Sequence, residues 1–141
     1  MEYRRFENTI VARLDRGEEI TAQLKLIAQK AGVRLGMVNA LGAVDDFTVG
    51  VYNVAEQKYY KNHFAGAYEI VSLHGNISEM DGECYLHLHM SAGDAEGHVV
   101  GGHLNEARIS ATCEIFITCL EGSVGRKKDA VTGLNLYDFT K

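Results

Sequence analysis

The chain contains no proline in its 141 residues. No stretch reads as a proline-rich linker, none is low in complexity, and no internal repeat is visible. Cysteine is scarce as well: Cys84, Cys113 and Cys119 are odd in number and form no C-x-x-C. That pattern argues against a disulfide framework or a cysteine zinc knuckle and predicts reduced, buried thiols. No apolar run approaches the roughly 20 residues that a membrane helix needs. The amino-terminal MEYRRFENTI mixes charges with single apolar residues and lacks the continuous apolar stretch of a secretory signal, so a cytoplasmic location is expected. Positive charge is also in short supply. With 14 Lys and Arg against 19 Asp and Glu, the net charge of −5 repels a phosphate backbone over most of the surface. The one dense basic run, Arg126-Lys127-Lys128, reads as a solvated loop.

What remains is the composition of a soluble globular protein, 46% hydrophobic and 23% charged. The length suits one domain spanning residues 1–141 with a core of its own. From Glu18 to Ala31 the apolar residues Ile20, Leu24, Ile27 and Ala31 recur at helical spacing, with acidic residues at the start and Gly32 just past the end. One amphipathic helix packed on a flat partner is predicted there. Short segments rich in Val, Ile, Tyr, Thr and Phe, punctuated by glycine, predict strands at Tyr3–Leu14, Met37–Val44, Phe47–Val54, Tyr59–Phe64, Tyr68–Ile77, Glu83–Ser91, Gly97–Gly102, Thr112–Leu120 and Leu134–Phe139. The connections Val54–Tyr59 and Ser78–Glu83 are too brief for a parallel crossover, so the strands they join run antiparallel. The fold class that follows is α+β, a mostly antiparallel sheet with a helix on one face.

The candidate chemistry lies in Tyr85–Leu104, YLHLHMSAGDAEGHVVGGHL, which holds four of the six histidines. On a strand, His87 and His89 point to one face about 6.6 Å apart, close enough to converge on one ion, while Cys84 points to the other. Gly101-Gly102-His103 is the natural source of a third ligand, because paired glycines allow a close backbone approach. Three neutral imidazoles suit zinc, and also copper, iron or nickel, and leave a coordination position open. His74, in SLHGN, is a fourth ligand or a partner holding a ligand's tautomer if its strand lies beside that of His89. His98 belongs to a turn and His63 to a solvated charge cluster.

From Arg5 almost to the carboxyl terminus the chain resembles the plants-and-prokaryotes conserved (PPC) domain family. The resemblance rests on GEEITAQLKLIAQKAGVRLGMVNALGAV, YEIVSLHGNIS, LHLHMSAGDAEGHVVGGHL, CEIFI and TGLNL, in that order. Bacterial and archaeal members are small proteins provisionally described as DNA-binding. The resemblance implies a homotrimer built on an antiparallel sheet with flanking helices, and a metal at His87, His89 and His103. In the plant proteins the domain is joined to an AT-hook with an Arg-Gly-Arg-Pro core, which a chain without proline cannot contain. Intrinsic DNA binding is therefore expected to be weak or absent.

Two further function classes stay open at this stage. The first is a homotrimeric, zinc-binding protein with a regulatory or DNA-associated role. The second is a metal-dependent hydrolase or lyase acting on a small molecule, with Glu69, Glu114 and Asp94 available as general bases by residue type alone.

Overall fold

The computed structural model describes residues 1–140. In chain order its elements are β1 (Glu2–Phe6), β2 (Thr9–Asp15), α1 (Ile20–Ala31), β3 (Gly36–Asn53), β4 (Lys58–Met80), β5 (Glu83–Gly93), β6 (Val99–Cys119), β7 (Gly125–Lys128) and β8 (Asn135–Asp138). Every pairing between strands is antiparallel. The main sheet has the order β1-β2-β6-β3-β4-β5, and β5 pairs back onto β6, so that β3, β4, β5 and β6 close a circuit. β7 and β8 form a separate hairpin.

The helix starts and stops as its sequence dictates. Glu19 caps it, its carboxylate accepting from the backbone N–H groups of Thr21 and Ala22, and Gly32 ends it in the left-handed region at φ 65°. Ile20, Leu24, Ile27 and Ala28 are buried, whereas the expected Ala31 is only partly covered. The family resemblance implies flanking helices in the plural, but among the described residues there is one α-helix.

The strands are fewer and longer than the local patterns suggest. The expected single strand Tyr3–Leu14 is the hairpin β1–β2, turned at Glu7, whose φ is 51°. Met37–Val44 and Phe47–Val54 are one strand, β3, and Tyr59–Phe64 and Tyr68–Ile77 are one strand, β4. The break read at Asp45-Asp46 is a shift of register at Val44/Asp46, and a second shift at Ala40/Gly42 falls inside the expected Met37–Val44; both bend β3 without ending it. β6 joins the expected Gly97–Gly102 and Thr112–Leu120 through residues that carried no strand expectation. The hairpin connections after Val54 and Ser78 are as expected. Arg126-Lys127-Lys128 is not a solvated loop: it lies in β7, and Arg126 is buried.

Alternation along β5 divides its side chains. Leu88, Met90 and Ala92 face a continuous core with Leu73, Ile77, Ile109 and the buried side of α1, while Tyr85, His87, His89 and Ser91 face outward. Cys113 and Cys119 are buried and Cys84 is half-buried, all three as free thiols, and burial pushes the Cys113 thiol up to about 12. The outer face of the sheet also carries Met37, Leu41 and Phe116, each more than half exposed, with Phe116 in register with Asn39 between the other two.

Glu19 also accepts from the backbone N–H of Ala107 on β6 at 3.1 Å, so one carboxylate ties the helix start to the sheet. Glu19→Ala is expected to lower stability by about 1–2 kcal/mol, read as a drop in the urea midpoint at unchanged slope.

Candidate metal centre

The outward side chains meet where β5 returns to β6. His89 is in direct register with His103, and His87 precedes His89 by one full strand repeat on the same face. The three rings lie 5.2 Å (His87–His89), 5.3 Å (His87–His103) and 5.6 Å (His89–His103) apart between centroids. One ring nitrogen from each falls within 4.8 Å of the others. Glycine permits this approach. A Cβ on Gly101 would meet the Met90 carbonyl oxygen at 2.5 Å, and one on Gly102 would meet that of Gly50 at 2.6 Å. Neither could carry a side chain without pushing β6 away from β5 or β3.

The site disfavours protonation of two of its imidazoles. Burial, reinforced by His103, His89 and Arg126, lowers the pKa of His87, and burial together with His89 lowers that of His103. Tyr59 packs edge-on to His103, with centroids 6.1 Å apart, and its hydroxyl donates to Asn105 Oδ1 at 3.0 Å. Burial raises the Tyr59 pKa, so the phenol keeps its proton.

These rings line a cleft of about 870 Å³ between the outer face of the sheet and the β7–β8 hairpin. The hairpin's contribution is one that sequence reasoning missed. Arg126 carries its guanidinium between the rings of Tyr85 and Tyr137, 4.5 and 4.3 Å from their centroids. It donates from Nε to Ser78 Oγ (2.8 Å), from Nη1 to the Asn135 carbonyl (2.8 Å) and from Nη2 to Asn76 Oδ1 (2.9 Å). The readable signal was Tyr85, which shares a strand face with His87. Arg126 was hidden in a basic triplet. Its neighbour Lys127 reaches Asp138 at 3.6 Å, so the triplet is not one free basic patch.

The remaining candidates lie elsewhere. His74 is in register with His89, but its ring is 6.3 Å away and it is not part of the close group. His98 is exposed in the turn, as expected, where the Asp94 carboxylate accepts from the backbone N–H groups of Glu96 and His98. Asp94, Glu96 and His98 form a second close group that the sequence reading did not single out, and these turn hydrogen bonds account for it. His63 is exposed and faces Asp46 at 3.1 Å. None of Glu69, Glu114 and Asp94 lines the cleft, and neither does any other Asp or Glu among the described residues.

The family model of the Plants and Prokaryotes Conserved (PCC) domain matches residues 1–121. The chain belongs to this family. It is 32% identical to the metal-containing protein from Archaeoglobus fulgidus, whose crystal structure superposes with a TM-score of 0.88 over 96% of each chain. It is 33% identical to a PPC protein from Pyrococcus horikoshii, with a TM-score of 0.87 over 99% of this chain and 95% of that one. A protein from Bacteroides thetaiotaomicron, provisionally described as DNA-binding, is 28% identical, with a TM-score of 0.96 over 99% and 98% of the two chains. The bifunctional protein GlmU of Synechococcus sp. is 30% identical over 124 residues, which are 86% of this chain and 19% of that protein. The chain thus spans only a minor part of that curated relative.

The depressed histidines give the metal-free protein a signed pH dependence. In the unfolded chain both imidazoles titrate near 6.5, and in the folded chain His87 and His103 titrate lower. Above that range neither state is protonated there. As pH falls from about 6.5 to the lower folded values, the unfolded state takes up protons first and stability is lost. Urea unfolding of metal-free protein between about pH 8 and pH 5 is expected to show this loss, and His87→Gln/His103→Gln to make it shallower.

Proposed function

We propose that the chain is a single-domain, homotrimeric, cytoplasmic metal-binding protein in which His87, His89 and His103 hold one divalent transition metal, zinc first, in a regulatory role. The observation that carries this is the convergence of three imidazole nitrogens within 4.8 Å on a rigid seam between two strands. Nitrogens around a tetrahedral zinc stand about 3.3 Å apart, since each Zn–N bond is roughly 2.0–2.1 Å, and the nitrogens of this set, within 4.8 Å of one another, are near that spacing. Burial disfavours the protonated forms of His87 and His103, which could not ligate, and the metal-containing protein from Archaeoglobus fulgidus has the same fold at 32% identity. A bound metal would supply Lewis acidity and a free coordination position facing the cleft.

That cleft favours a second reading, a metal-dependent hydrolase or lyase. Against it stands the lack of any carboxylate among the lining residues to take a proton, with Tyr59 kept protonated. Intrinsic DNA binding is weak or absent on this reading. Two similar structures are of proteins provisionally described as DNA-binding, but here the basic triplet is broken up by the burial of Arg126 and the pairing of Lys127. No helix among the described residues is long and apolar enough to cross a membrane.

Metal-free refolded protein loaded with zinc and desalted is expected to retain about one zinc per chain by elemental analysis. His89→Ala is expected to retain almost none, and full occupancy in that variant would refute the ligand assignment.

The exposed apolar row Met37, Phe116 and Leu41 supports assembly, because a flat sheet face left uncovered by the one helix is buried in every copy of a cyclic oligomer. The number three follows from the family resemblance. Light scattering is expected to give a trimer, and Phe116→Glu to shift the mass toward monomer. A wild-type monomer would overturn the assembly reading.

A further inference from the structure

Arg126 is a buried cation without a counter-ion. It is 7% exposed, and among the described residues no carboxylate lies within ion-pairing distance. Its three hydrogen bonds all go to neutral oxygens, those of Ser78, Asn135 and Asn76. Removing a guanidinium from water without a compensating negative charge is unfavourable, so a charge left in this state marks a place where an anion is supplied from outside.

The surroundings of the cleft point the same way. The chain has 19 acidic residues and a net charge of −5, yet among the described residues none of the acids lines this cleft, which holds Arg126 and three histidines. An acidic protein has here kept its own carboxylates away from one concave, positive surface.

We propose that the cleft binds a small organic carboxylate anchored on Arg126. The inference deepens the metal-binding reading and rests on it only for the second positive pole, the metal at the histidines. Guanidinium has five N–H donors, of which three are used, leaving one on each terminal nitrogen. A free donor on each terminal nitrogen can serve the two oxygens of a carboxylate, and the rings of Tyr85 and Tyr137, 4.5 and 4.3 Å from the guanidinium carbon, hold the group in place in advance. The cleft of about 870 Å³ has room for more than an inorganic ion. Val51, Tyr52, Leu134 and Leu136 supply walls for a carbon body. Inorganic phosphate shares the charge but has nothing to place against those walls.

The test is calorimetric titration of the full chain, zinc-loaded and separately chelator-treated, with phenylacetate, succinate, acetate and inorganic phosphate, the zinc content of every sample being measured. The expected result is that phenylacetate or succinate binds about tenfold or more tightly than acetate and phosphate. Arg126→Gln is expected to weaken this by about tenfold or more while keeping its zinc, and Arg126→Lys, which retains charge without the fork, to recover only part of it. If wild-type protein binds no carboxylate more tightly than phosphate, the proposal is overturned, whether or not the variants fold. The same holds if Arg126→Gln binds as wild type does, or if a crystal structure of the assembled protein shows an Asp or Glu of a second copy on Arg126. Failure of wild-type protein to hold zinc would instead overturn the metal reading, and in that case the chelator-treated titration still decides the Arg126 anchor.

Discussion

Closure of the β3–β4–β5–β6 circuit governs the rest of the molecule. Following register partners from His103 leads to His89, then His74, then Asn39, and returns to β6 at Phe116. Four steps between neighbouring strands cover about 19 Å, whereas the stretch of β6 from His103 to Phe116 would measure roughly 43 Å if straight. β6 reconciles the two distances only by coiling around the circuit, and the register shifts where it pairs with β3, at Gly42/Val44, Val44/Asp46 and Thr48/Val49, let it do so. Where the circuit closes, Gly101 and Gly102 admit the close approach of β6 to β5 and β3, so the residue that follows, His103, is held against His89. The histidine group is a product of the closure and needs no loop to position it.

The same closure explains the electrostatics of the cleft. Interior positions of the circuit belong to the core, so His87, His89 and His103 at the seam are on the outer face, and the β7–β8 hairpin folds over that face with Arg126 pointing inward. Neutral partners hold Arg126, and burial keeps His87 and His103 uncharged when no metal is present. The positive potential of the cleft thus comes from one fixed charge, the Arg126 guanidinium.

Much of this was legible in the sequence because strand and helix periods are local. Parity put His87 and His89 on one face and Cys84 on the other, and the paired glycines marked His103. The helix was visible in its spacing, with its start legible to within a residue or so. What was not legible depended on partners remote in sequence. Asp45-Asp46 looks like a strand end but is a bend inside β3, because hydrogen bonds to β4 and β6 carry the strand through it. Arg126 reads as surface charge between Gly125 and Lys127, and nothing local announces that Tyr85 and Tyr137 will enclose it. Glu7 turns the chain in a left-handed conformation that its residue type does not favour, so a hairpin was read as one strand.

The apolar row and the histidine group lie on one outer face, joined through Asn39 and His74. Yet they draw on different residues. Met37, Leu41 and Phe116 lie on β3 and β6 well away from the closure, whereas His87, His89 and His103 sit at it. The core beneath is continuous under both and contains none of the histidines. Replacing the imidazoles would leave the sheet, its closure and its apolar face intact, since those depend on the glycines and on the buried residues of the opposite face. Within one architecture, therefore, assembly and ligand chemistry can vary separately.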